Sequence, residues 1–175
     1  MRNTAFLAVG VGLLFLQSVF FWFTGWIPLP GITPSLILPL IVFMGVHEYS
    51  LARGAALACV FGYGLDLLAS APVGLFTFVC VATFVLARAA GVRLAAQHII
   101  TQVPLALVFS VVQSIMVLVL LAIFGKNPHG PRDMLALVLP HAISTALFSP
   151  AIFAIASRIH QATGAAPTAA RGASP

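Results

Sequence analysis

Between Arg2 and His47 the chain carries no ionisable side chain at all: residues 3 to 46 form an uncharged run of 44. A helix rises about 1.5 Å per residue, and about 20 apolar residues cross the hydrocarbon core of a bilayer. The run is therefore too long for one crossing and has to fold back. The breaker cluster Trp26-Ile27-Pro28-Leu29-Pro30-Gly31 marks the place. The rest of the chain agrees with a membrane reading. Of 175 residues, 61% are hydrophobic and 6% charged, and the mean hydropathy is +1.13. A soluble domain carries roughly 25% charged residues, so soluble classes are excluded. The length suits five or six spans and leaves no room for a second soluble domain.

Six spans follow from the apolar runs. Span one covers about Thr4 to Trp26, with Phe20, Phe21, Trp22, Phe23 and Trp26 as an aromatic belt at its end. It is longer than a signal-peptide core and lacks a small-x-small cleavage site, so it reads as permanent. Span two, about Ile32 to Val46, contains Pro34 and Pro39 and is expected to be kinked, incompletely helical or partly re-entrant. Span three runs from about Ala52 to Leu68, span four from Pro72 to Arg88, and span five from Ile99 to Phe124. Span six runs from Met134 to Ser157, with Pro140 and Pro150 as expected kinks. Residues 1–160 thus make a single transmembrane domain, and 161–175, rich in small residues, a flexible tail. The fold class is an all-α membrane protein, a six-helix transmembrane bundle. Six spans put Arg2, Arg53, Arg88, Arg93, Arg158 and Arg171 on one side, and Lys126 and Arg132 on the other. The positive-inside rule then makes both termini, and the tail, cytoplasmic.

Polar groups inside spans cost free energy and ask for a reason. Asp66 lies roughly 20 Å beyond Arg53 along span three. Ala52, Ala55, Cys59 and Gly62 share its helical face, so that face is small-sided and suits close helix approach; Gly54, Ala58 and Gly62 widen it. Ser70 is a candidate N-cap for span four, with Pro72 at an early helical position. A carboxylate just before that start would accept its unpaired N–H groups and meet the helix dipole. Asp66 is therefore expected to lock the turn between spans three and four. Gln102, Ser110, Gln113 and Ser114 on span five, with His141, Ser144, Thr145 and Ser149 on span six, read as interhelical hydrogen-bonding groups. The sharper alternative is a polar cavity for a small ligand, and Gln17 and Ser18 would suit either arrangement.

Other chemistries are poorly served. The basic residues are scattered, not clustered on a solvated face, which argues against nucleic acid. Cys59 and Cys80 sit in apolar runs and read as buried small hydrophobes. His47-Glu48 lacks the second histidine of an H-E-x-x-H site, so neither a metal nor a cofactor is expected. Glu48, Asp66 and Asp133 are too dispersed for paired-carboxylate work. Asp66 with His141 is the one acid–base pair an intramembrane enzyme would have. The expectation is a protein that is not an enzyme.

The stretch Arg53-Gly54-Ala55, followed by Gly62-Tyr63-Gly64-Leu65-Asp66-Leu67-Leu68-Ala69-Ser70-Ala71-Pro72-Val73-Gly74-Leu75, resembles the signature of the rod-shape-determining MreD family. That signature reads G-x-x-x-G-L-x-x-D-x-x-S-G-x-P-L-G-L, near the middle of a chain of this length. Asp66, Pro72 and Gly74 take the Asp, Pro and Gly positions, while Ala69-Ser70-Ala71 departs from the Ser-Gly pair. His141 through Phe148-Ser149-Pro150 is similar to the family's last span, and the likeness extends over about residues 5 to 160. It implies a six-helix fold resembling the substrate-binding subunit of ECF transporters. It implies too a non-enzymatic scaffold of the bacterial inner membrane that works in cell elongation and peptidoglycan synthesis. The partners implied are MreC, MreB, RodA and a class B penicillin-binding transpeptidase, within the lipid bilayer and without nucleic acid. Arg53, Gly62, Asp66, Pro72 and Gly74 would be its structural or partner-contact residues. The alternative sharing this fold is the membrane subunit of a vitamin or metal importer, using the polar residues of spans five and six.

Overall fold

A computed structural model of the chain describes residues 2–24, 33–47, 50–69, 72–90, 99–124 and 131–164. Among the described residues all regular structure is helical: α1 (Arg2–Thr24), α2 (Ile37–Val46), α3 (Leu51–Leu68), α4 (Leu75–Ala89), α5 (Ile99–Phe124) and α6 (Pro131–Gly164). Helices α1, α3, α5 and α6 are long and apolar enough to cross a membrane. Helices α2 and α4 have 10 and 15 residues, or about 15 and 22 Å, against about 30 Å of hydrocarbon. The six expected helical segments are present among the described residues, four of them long and two short, and span two is the shortest. The breaker cluster at 26–31 and the final residues 165–175 lie outside the described residues, and α6 runs on to Gly164, past the expected domain edge at 160.

Helix α2 is the centre of the molecule. All ten of its residues are buried, and it packs against α1, α3, α4, α5 and α6. A helix that is apolar on every side needs cover on every side, and here protein supplies it. Of the outcomes expected from its prolines, the structure shows an incompletely helical span. Residues 33–36 are non-helical and the helix starts only at Ile37, so Pro34 precedes it and Pro39 falls in its first turn. The first four N–H groups of a helix have no intrahelical acceptor, so a proline there removes nothing.

Two hairpins clasp this centre, α3 with α4 and α5 with α6. Their approach depends on missing side chains. A Cβ on Gly45 of α2 would stand 2.9 Å from the Ala87 Cβ and 3.0 Å from the Phe84 carbonyl of α4. Gly54 of α3 lies against the Phe84 ring from the other side, and Gly62 is so close to α4 that an added Cβ would stand 2.5 Å from the Thr77 Cα. The buried face of α3 is Gly54, Leu57, Ala58, Phe61, Gly62, Leu65 and Asp66. This corrects the small-sided face anticipated above: Ala52 and Cys59 are exposed, Ala55 is half-buried, and Gly62 and Asp66 alone of that set are buried. Of the two cysteines expected to be buried, Cys80 is, whereas Cys59 is exposed on the outer face of α3. Helix α1 leans on α3 through Gly10 against Phe61 and Leu14 against Gly64. Its Phe15, Phe21 and Trp22 point outward, each about 70% exposed, as lipid-facing side chains do.

Ring contacts fix which ends meet. Phe6 of α1 lies 6.4 Å from Phe43 near the end of α2, and Phe43 lies 6.3 Å from His160 of α6. The start of α1 and the end of α6 therefore share one end of the bundle. Helix α5 passes through Pro104, and α6 through Pro140 and Pro150, without ending. Pro150 has no N–H for the carbonyl of Ala146, four residues back. The Ser149 hydroxyl donates to that carbonyl instead, at 2.7 Å.

Candidate functional site

Asp66 ends the buried face of α3 and is 4% exposed. Its carboxylate accepts four hydrogen bonds from the start of α4. Oδ2 receives the Gly74 N–H at 3.0 Å, the Thr77 N–H at 3.1 Å and the Thr77 hydroxyl at 2.6 Å; Oδ1 receives the Phe76 N–H at 2.8 Å. These N–H groups belong to the first turn of a helix, where no carbonyl of the helix reaches them. The positive end of the helix dipole lies at the same place. A single carboxylate from one helix thus caps the next one, with bonds to charge that are stronger than neutral ones.

The surrounding residues make this geometry possible. Gly74 is the N-cap and has φ of +96°, a conformation costly for residues with a Cβ. A glycine has no side chain to cap with, and Asp66 supplies the acceptor from outside. Pro72 is exposed, and its carbonyl accepts the Leu75 N–H at 3.2 Å to close the turn. Gly62, one turn before Asp66, lets the backbone of α4 come down onto α3. The local cap expected at Ser70 is corrected to Gly74; Ser70 itself lies outside the described residues. The sequence therefore converges four of its five singled-out residues, Gly62, Asp66, Pro72 and Gly74, on one turn. Arg53 stands apart, exposed in the first turn of α3.

A second polar centre repeats the device at the start of α2. The Ser35 N–H donates to the Thr145 hydroxyl of α6 at 3.0 Å, and the Leu36 N–H donates to Oε1 of Gln17 of α1 at 3.2 Å. The Thr145 hydroxyl donates onward to the His141 carbonyl at 2.8 Å. The His141 ring meets the Thr33 carbonyl through Nδ1 at 2.6 Å. A carbonyl accepts only, so Nδ1 carries the proton and donates. Thr145 and Ser35 are buried. Sequence reasoning noted Gln17, His141 and Thr145 as hydrogen-bonding residues but missed their targets, the backbone groups of residues 33–36. Pro34-Ser35 ahead of an apolar run is a helix-start signal that points there.

The remaining polar residues of α5 and α6 divide. Ser144 and Ser149 bond carbonyls of their own helix. Ser110 is 1% exposed, and its hydroxyl finds no partner among the described residues. Gln113, one turn on, is also buried. Asp66 and His141 are each engaged with a different helix start, and no bond joins them. Among the described residues no group of three His, Cys, Asp or Glu is placed to hold a metal ion. What this arrangement does chemically is fix backbone. No family model, curated protein or solved structure matches the chain.

Proposed function

We propose that the chain is an inner-membrane scaffold of the MreD type, holding partners of the cell-elongation machinery at the membrane. One observation carries the reading: the motif that suggested the family is a working structural unit, with Gly62, Asp66, Pro72 and Gly74 assembled into one capped turn. The bonding of Asp66 also supports a scaffold over a catalyst, since its carboxylate is committed to four donors of α4. The partners of this reading are MreC first, then MreB, RodA and a class B penicillin-binding transpeptidase. Depletion in the source bacterium is expected to round the cells, and MreC is expected to co-purify from solubilised membranes. Normal rods after clean deletion, with no paralogue to compensate, would overturn the proposal.

A second reading, the solute-binding subunit of a vitamin or metal importer, draws on buried Ser110 and Gln113, two polar side chains one turn apart on α5. A buried polar group without a partner is destabilising by about 1–3 kcal/mol, and a bound solute would supply one. Under this reading a vitamin or divalent ion raises the melting temperature of the purified protein, and Ser110→Ala with Gln113→Leu removes that rise. A broad panel without any such rise excludes it.

A further inference from the structure

The connection between α3 and α4 is apolar, where a connection at a membrane surface is ordinarily polar. Between Arg53 and Arg88 the only charged side chain is Asp66, and it is buried beneath the turn it caps. Leu67, Leu68 and Val73 stand out around that turn at 68%, 57% and 79% exposure. The connection between α5 and α6 has the opposite character: Gly125-Lys126-Asn127-Pro128-His129-Gly130, followed closely by Arg132 and Asp133. Both connections belong to the same end of the bundle. Gly54 near the start of α3 and Gly45 near the end of α2 both lie against Phe84 of α4, and the end of α2 meets His160 near the end of α6. The end of α3 and the start of α6 therefore both lie at the other end.

Length separates the two connections. Gly54 against Phe84 and Gly62 against Thr77 make α3 and α4 an antiparallel pair, with Arg53 and Arg88 at its open end. From Arg53 to Leu68, and from Arg88 back to Gly74, the hairpin rises about 22 Å, against about 30 Å of hydrocarbon. Helix α5, with 26 residues, rises about 39 Å. A guanidinium reaches back only a few ångströms to the headgroups, so the α3–α4 turn stops short of the opposite interface. The turn is also built for a place without water. Asp66 takes four donors, the Pro72 carbonyl takes the Leu75 N–H, and the Leu65 carbonyl takes the Ala69 N–H at 2.8 Å. Hydrocarbon supplies no hydrogen-bond partners, so backbone within it has to be satisfied by the protein itself.

We propose that the α3–α4 hairpin is re-entrant: its turn ends inside the bilayer, and lipid acyl chains of the leaflet opposite Arg53 and Arg88 cover Leu67, Leu68 and Val73. Lipids of that leaflet then lie over the hairpin as well as around it. A water-borne partner would have to enter the hydrocarbon to reach a turn this deep. The inference rests on the membrane reading of the chain and is independent of the scaffold assignment. The test places a nitroxide at Val73→Cys, and separately at Leu68→Cys, in the full chain carrying Cys59→Ala. The protein sits in nanodiscs of dioleoylphosphatidylcholine, and collision of the label with oxygen is compared with collision with a water-soluble nickel chelate. Ile115→Cys, exposed near the middle of α5, is the hydrocarbon reference, and Asn127→Cys the aqueous one. Both turn labels are expected to behave as the Ile115→Cys label does, with chelate collision about tenfold below that at Asn127→Cys. An unchanged melting temperature certifies the fold of each labelled variant. Chelate collision at both turn labels equal to that at Asn127→Cys overturns the proposal. Protection of both from oxygen and chelate alike also overturns it, since protein then covers the turn. Chelate access at Ile115→Cys as well would overturn the membrane reading itself, and the proposal with it.

Discussion

Exchanging Asp66 for Asn sets an NH2 group against at least one N–H or O–H donor of α4 and removes the charge that strengthens the rest. Hydrogen bonds to charged groups contribute roughly 1.5–3 kcal/mol each, so Asp66→Asn is expected to destabilise the protein by about 2–4 kcal/mol. Glu48→Gln, at the end of a span, is expected to stay within about 0.5 kcal/mol. Chemical or thermal unfolding in detergent distinguishes them, and equal melting temperatures contradict the capping account. Gly74→Ala tests the same turn through backbone alone: φ of +96° makes any Cβ unfavourable, by about 1–2 kcal/mol. The role of Asp66 was readable in the sequence because its acceptor faces donors only a few residues downstream. The start of α4 was misplaced for a related reason. A local serine cap is unnecessary when the preceding helix supplies the acceptor.

Among the elements, α6 and α2 show how side chains repair a helix. In α6 the Ser149 hydroxyl serves a carbonyl that Pro150 leaves open. Ser149→Ala is expected to destabilise by about 1 kcal/mol in the native background. With Pro150→Ala already present, the restored N–H meets the Ala146 carbonyl, and the same change is expected to be nearly neutral. A double-mutant cycle measures this coupling. At α2, Thr145→Val leaves the buried Ser35 N–H unmet and is expected to cost about 1–3 kcal/mol. Hydrogen exchange read at Ser35 and Leu36 localises the loss. The bounds of α5 were legible, because its uncharged run ends near Gln97-His98 and at Gly125-Lys126. The start of α2 was not. Apolar character continues from Ile32 into the helix, and what holds residues 33–36 out of helix comes from α1 and α6, up to 110 residues away in sequence. Periodicity likewise misassigned the face of α3, since lipid and protein interior are both apolar and reward the same residue types.

For the whole molecule, burial separates the two thiols: Cys59 is exposed and Cys80 buried. A lipophilic maleimide is expected to label Cys59 in the folded protein and Cys80 only after unfolding; rapid labelling of both would contradict the packing of α4 onto α3 and α2. The central place of α2 has a further consequence, for biosynthesis. Chains leave the ribosome from the amino terminus, so this segment emerges second, long before α6 whose Thr145 anchors its beginning. With a helix of ten residues, and covered by α1 on one side and by later helices on the others, it has no stable lodging of its own in lipid. Its settling must wait until translation is nearly complete, and a nascent chain cut off ahead of α6 would leave it without a home.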